Sequence, residues 1–172
     1  METLVIYYSF TGNNEALAKE LQRRLGCDSL RVNEVNKRTG LTILLDLVFK
    51  RKPKIRRLEC DLKQYDRLVL VTPIWAGRIA MPLASFIALE KNNFRDFALI
   101  SLCTGPEGQL EKITDELCQL AGKKPKVVAQ LKVNDLLPPE RKNKIRYATN
   151  YRIKKDDFYT YGREISQFVQ AL

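Results

Sequence analysis

Histidine is absent from this 172-residue chain, and that removes several chemistries at once. Ser-His-Asp and Cys-His nucleophilic mechanisms have no imidazole base. A zinc centre has neither histidines nor clustered thiols: the four cysteines, Cys27, Cys60, Cys103 and Cys118, are far apart and form no CxxC pair. No metal is therefore expected, and catalysis, if any, has to come from a cofactor, a carboxylate, a lysine or a tyrosine. Long apolar runs are missing too. Runs such as residues 68–74 and 98–103 fall well short of the roughly 20 residues of a membrane span, so no transmembrane segment is expected. Neither a basic region nor a small-residue cleavage site precedes Leu4-Val5-Ile6-Tyr7-Tyr8, so no signal peptide is expected. Dispersed cysteines without a secretory signal read as reduced thiols, and the expected location is the cytoplasm.

What is present suits one globular domain over residues 1–172, with 45% apolar and 29% charged residues. The net charge of +10 is unevenly placed. Residues 36–57 hold eight basic residues and one acid, and residues 134–155 hold seven and two, while the rest of the chain is close to neutral. The two segments read as peripheral elaborations of a near-neutral body. They are either solvated loops and helix ends or a docking surface for an acidic protein or another polyanion. Nucleic acid is not an expected partner, because no recognised nucleic-acid motif accompanies the charge.

Along the chain, apolar strand patterns alternate with helical ones. Residues 3–8 read as a buried strand. Asn13 or Asn14 can cap the helix that follows, Glu15 suits its positive end, and Leu17, Leu21 and Leu25 line one face up to Gly26. A weaker strand is expected over 29–35 and an apolar helix over 41–49. That helix either packs on the sheet or serves a dimer or membrane-surface contact. Residues 67–72 are a second clear strand, stopped by Pro73, and 81–91 a helix with Pro82 in its first turn. A third buried strand covers 97–102, a helix 107–121 and a final strand 127–133. Asp156 is the expected cap of a last helix reaching Leu172. Residues 134–155 form a long connection of the kind that is functional or mobile. Continuous apolar strands with amphipathic helices between them imply an α/β fold, a five-stranded parallel sheet covered on both faces. Such sheets bind ligands in the loops at the carboxyl ends of their strands.

Three of those loops are unusual. Ser9-Phe10-Thr11-Gly12-Asn13-Asn14 offers two hydroxyls, a glycine and helix-start amides, which together make an anion site or else an ordinary polar turn and cap. It is neither a Walker A loop nor a GxGxxG fingerprint. Thr72-Pro73-Ile74-Trp75-Ala76-Gly77-Arg78, continuing to Pro82, holds the chain's one tryptophan. An indole in a loop either stacks on a ligand or plugs the core edge. The third loop is Cys103-Thr104-Gly105-Pro106-Glu107-Gly108, with two glycines and a thiol that reads as buried and inert.

The first loop resembles the phosphate loop of flavodoxins, roughly S/T-x-T-G-x-T/N. The run P-I-W-x-G-x-x-x-x-P resembles a subgroup of flavodoxin-like proteins, as does the basic-flanked helix within 36–57. The resemblance covers residues 1–133 and the last helix. It implies a flavodoxin-like fold that binds FMN at Ser9, Phe10, Thr11, Gly12, Asn13, Asn14, Thr72, Pro73, Ile74, Trp75, Ala76, Gly77, Arg78, Cys103, Thr104, Gly105 and Gly108. In that picture Trp75 covers one flavin face, Gly77 approaches N5, and Gly105 and Gly108 reach the pyrimidine oxygens. Arg78 is the first candidate for a charge that raises the potential. Where flavodoxins often offer a tyrosine in the third loop, this chain has no aromatic. The implied function is electron transfer through the flavin, with a redox partner protein or NAD(P)H as the other party. An NAD(P)H-dependent FMN or quinone reductase and a flavin-free binding protein of the same fold are the alternatives.

Overall fold

A computed structural model of the protein describes residues 1–36, 38–49, 51–104 and 109–172, with only the backbone described at 47 and 48. In chain order the elements are β1 (Thr3–Tyr7), α1 (Asn13–Leu25), β2 (Asp28–Arg31), α2 (Gly40–Phe49), β3 (Arg67–Val71), a short pair β4 (Ile74–Trp75) and β5 (Arg78–Ile79), α3 (Met81–Glu90), β6 (Asp96–Cys103), α4 (Leu110–Ala121), β7 (Val128–Lys132), α5 (Ile145–Asn150) and α6 (Gly162–Gln170). Five strands form a sheet in the order β2-β1-β3-β6-β7, parallel at every pairing. This is the doubly wound, flavodoxin-like order.

The near-continuous apolar strands have the reason expected of them, since both faces of the sheet are covered. One face carries Leu4, Ile6, Leu70 and Leu99 against Phe86 of α3 and Ile113 of α4. The other carries Val5, Val71 and Ile100 against Leu17 and Leu21 of α1 and Phe168 of α6. Each fully buried aliphatic side chain contributes about 1.5–3 kcal/mol, so these central strands dominate the apolar stabilisation. Their carboxyl ends, Tyr7, Val71 and Cys103, lie side by side because β1, β3 and β6 are neighbours.

One expectation from sequence is corrected, and two segments left open there gain a description. Asp156 does not cap the last helix. The chain winds through a short 3-10 turn, Lys155–Tyr159, before α6 begins at Gly162. The carboxylate used there is Asp157, which accepts from the Lys154 N–H at 2.7 Å and the Tyr151 hydroxyl at 2.8 Å. Within residues 134–155, Leu137 and Ala148 are buried in the face that carries α1 and α6. Among the described residues, no side chain of α2 joins either apolar core. Residues 33–35 and 54–56 pair antiparallel, through Val35 N–H to Lys54 O at 3.0 Å and Arg56 N–H to Asn33 O at 2.7 Å. That ribbon ties together the two ends of the segment that carries α2. Thr39 starts the helix: its hydroxyl accepts from Thr42 N–H at 3.3 Å, and its own N–H donates to the Thr42 hydroxyl at 2.9 Å.

With no histidine, no side chain has an ordinary pKa between about 5 and 8. Burial pushes up the thiols of Cys27 and Cys60 and the hydroxyls of Tyr8, Tyr161 and Tyr151, the last to about 12. A raised folded pKa favours the protonated native state. The stability it confers is complete below the unfolded values, about 8.5 for thiols and about 10 for phenols, and is lost as pH rises through the folded ones. Urea midpoints should therefore stay flat between about pH 6 and 8, fall from about 9, and fall more steeply above about 10. Tyr151→Phe should shallow the upper limb, and a decline below about pH 8 would contradict this account.

Candidate functional site

The turn after β1 is shaped by one glycine and one hydroxyl. Gly12 precedes α1 with φ 93°, in the left-handed region that other residues avoid. The Ser9 Oγ accepts the Gly12 N–H at 3.1 Å and closes the turn. Ser9 is buried, while Phe10, Thr11 and Gly12 are exposed. The backbone N–H groups of Asn13, Asn14 and Glu15 have no acceptor among the described residues, as in any first helical turn. They project from the positive end of a 13-residue helix, beside the exposed Thr11 hydroxyl, an arrangement that suits an anion with no lysine or arginine in the turn itself.

Asn13 and Asn14 do not cap α1 as the sequence suggested. Gly12 occupies the cap, and both amide side chains turn inward. The Asn14 Nδ2 donates to Leu102 O at 2.9 Å, and its Oδ1 accepts from Leu102 N–H at 3.0 Å. One side chain thus satisfies both backbone groups near the end of β6, as a neighbouring strand would. Asn13 does the same across a different gap, donating to Tyr151 O at 2.9 Å and accepting from Ile153 N–H at 3.0 Å. The first loop is thereby fastened both to the strand that leads into the third loop and to the basic segment 134–155.

The second loop is not structureless. Residues Ile74–Trp75 and Arg78–Ile79 pair antiparallel, joined by Ala76 at φ 48° and Gly77 at φ 71°. Two successive positive φ values are the pattern of a type I′ hairpin turn, which the sequence masks by placing alanine first. Trp75 is half-buried and meets the rings of Tyr8 and Phe10 edge-on, at 5.8 and 6.2 Å between centroids. The first and second loops therefore share one aromatic contact. Gly77 brings the hairpin close to the start of α4: a side-chain carbon there would lie 3.3 Å from Lys112 Nζ. Arg78 turns the same way, pairing with Glu116 at 3.3 Å, while Glu116 also accepts the Ile79 N–H at 2.8 Å. Arg78 is thus spent on α4.

Pro73 and Ile74 brace the hairpin, and Thr72 is fully buried with its hydroxyl on Pro73 O at 3.4 Å. Cys103 is buried in the core and Thr104 is exposed. Gly105 and Gly108 lie outside the described residues.

Two arginines that sequence reading missed stand at this rim. Arg31, at the end of β2, donates to Ser9 O at 3.1 Å and pairs with Glu15 at 3.1 Å. Arg38 places its guanidinium 5.6 Å from the Trp75 ring centroid while pairing with Glu34 at 2.5 Å and Asp46 at 2.8 Å. Glu34 also accepts from the Tyr8 hydroxyl at 3.0 Å. The only signal for Arg31 was its position at a strand end, and Arg38 had none beyond lying in a basic run. Both line a cavity of about 380 Å³ beside the first loop. A larger one, about 720 Å³, opens near Leu62 and Asn93. These residues precede β3 and β6, so that cavity lies at the opposite rim. Among the described residues no cluster suits a metal ion.

No protein-family model matches the chain and no curated protein matches it. Solved structures do. A flavoprotein from Lactobacillus acidophilus, in complex with FMN, shares 20% identity over 75% of this chain and 92% of its own, with a TM-score of 0.62. A protein from Bacteroides eggerthii with a provisional flavoprotein assignment shares 16% identity over 76% and 87%, with a TM-score of 0.65. A Bacteroides uniformis protein of the same provisional class shares 19% over 76% and 90%, with a TM-score of 0.63. At these identities the likeness establishes the fold.

Two substitutions test the geometry. Asn14→Ala strands a buried N–H and a buried C=O of Leu102 and should cost about 2–4 kcal/mol in urea unfolding. Ala76→Gly relieves an alanine at φ 48° and should be neutral or stabilising by up to about 1 kcal/mol, the reverse of the usual loss for a glycine.

Proposed function

We propose that the protein binds FMN across this rim and passes electrons through it. The observation that carries the reading is the union of an anion-binding turn with an aromatic hairpin. Asn14 fastens the turn to β6, and Phe10 fastens it to Trp75. The residues fit the cofactor: the unpaired amides of Asn13, Asn14 and Glu15 and the hydroxyl of Thr11 suit its phosphate, and Phe10 and Trp75 suit its ring. A structure of the same fold holding FMN supports the assignment. On this reading Thr104 belongs to the site as well, and the hairpin carries the P-I-W-x-G run of the flavodoxin subgroup it resembles.

FMN, when bound, supplies the redox chemistry. This chain's residues position and bias it. The Arg38 guanidinium lies 5.6 Å from the Trp75 ring centroid, so it would stand close to a flavin ring that Trp75 held. Glu116 compensates Arg78, and Glu34 and Asp46 compensate Arg38, so neither arginine would bring an unbalanced positive charge to the ring. The basic segment that Asn13 ties to the turn suits an acidic redox protein or the phosphates of NADPH.

The sole tryptophan reports directly on this site. Titration with FMN should quench Trp75 saturably, and riboflavin, which lacks the phosphate, should bind at least about tenfold more weakly. Gly12→Ala should bring FMN down to the riboflavin level. Equal affinities would remove the turn from the site, and no binding of either flavin would leave a flavin-free binding protein. Prompt anaerobic bleaching of the loaded protein by NADPH would make it a reductase, and slow bleaching a carrier.

A further inference from the structure

The unpartnered surface of α2 is the largest feature the cofactor reading leaves unused. Leu41, Leu44 and Phe49 are 66%, 57% and 62% exposed. Their i, i+3, i+8 spacing puts them on one face of the helix. The one acid of α2, Asp46, is buried and paired to Arg38 at 2.8 Å. Around the helix stand Arg51, Lys52, Lys54, Arg56 and Arg57, all exposed and without an ion-pair partner among the described residues. The guanidinium of Arg51 lies 5.2 Å from the Phe49 ring centroid, covering one flank of an apolar side chain that faces solvent.

We infer that α2 is an interfacial helix that docks the protein on an anionic lipid bilayer, with Leu41, Leu44 and Phe49 in the acyl boundary and the flanking cations on the headgroups. At 10 residues the helix is about 15 Å long, far too short to span a bilayer but sufficient to lie in its surface. Several observations choose this occupant over others. A second copy would bring the same five uncompensated cations face to face in a two-fold contact. A protein partner would have to match this face in shape as well as in charge. A bilayer accepts an apolar helix face flanked by cations without that match. Asp46 and Arg38 connect the helix to Trp75, so docking holds the aromatic rim close to the lipid surface.

The test is sedimentation of the full chain with vesicles of phosphatidylcholine, with and without about 30 mol% phosphatidylserine. Binding should be at least about tenfold stronger to the anionic vesicles and should weaken as salt is raised towards about 1 M. The variant L41S/L44S/F49S should lose it. These side chains lie outside both apolar cores, so the variant should keep the thermal midpoint and flavin affinity of the parent, which separates this inference from the cofactor reading. Charge reversal at Arg51 and Lys52 should also weaken binding. Absence of binding to anionic vesicles at low salt overturns the proposal, as does binding that survives the triple substitution. A dimer in light scattering that the triple substitution abolishes assigns the face to a second copy. Retention on an immobilised acidic polypeptide without vesicle binding assigns it to an acidic protein. Either result overturns the proposal.

Discussion

The candidate site depends on one buried amide. Parallel strands β1, β3 and β6 bring their carboxyl ends side by side, but a sheet leaves the loops beyond it free to diverge. Asn14 prevents that by bonding both backbone groups of Leu102. The first helical turn of α1 is thereby held in register with β6, and its exposed amides keep a constant relation to the hairpin that Phe10 touches. A buried polar side chain is costly unless its bonds are made, so this pairing specifies a single arrangement. Asn13 extends the same device to residues 151–153, which fastens a long basic connection to the start of α1.

A second network ties charge to the aromatic rim. Tyr8, Glu34, Arg38 and Asp46 form a partly buried chain of contacts with Trp75 at one end and α2 at the other. Guanidinium over indole gains when water is excluded, and the two carboxylates offset the cost of burying the cation. The same pairing leaves α2 with no anion on its exposed face. Local electrostatics at the cleft and the surface character of α2 therefore have a common origin.

Several features were open to reading from residue patterns. The strands at 3–7, 67–71 and 96–103 are apolar on both faces, which only a covered parallel sheet requires. Gly12 and Gly26 stand at the ends of α1, each with positive φ. Other features misled. Asparagine before a helix usually caps it, yet here glycine caps and both asparagines bond to distant chain. Ala76 hid a hairpin turn whose two positions favour asparagine and glycine. The apolar stretch 41–49 read as a helix whose cover stayed open, because periodicity reports an apolar face but not what covers it.

The division follows from range. Residue order carries strand and helix identity, the turn glycines, the alternation that makes a doubly wound sheet and the composition of its three rim loops, because those depend on local sterics and on side-chain hydrophobicity. The partners of Asn13 and Asn14, 138 and 88 residues away in the chain, depended on packing. So did the commitment of Arg78 to Glu116, the seat of Arg38 on Trp75 and the exposure of α2. Each of these is a contact between segments far apart in sequence, and only the closed sheet and its cores set the distances at which such polar groups can meet.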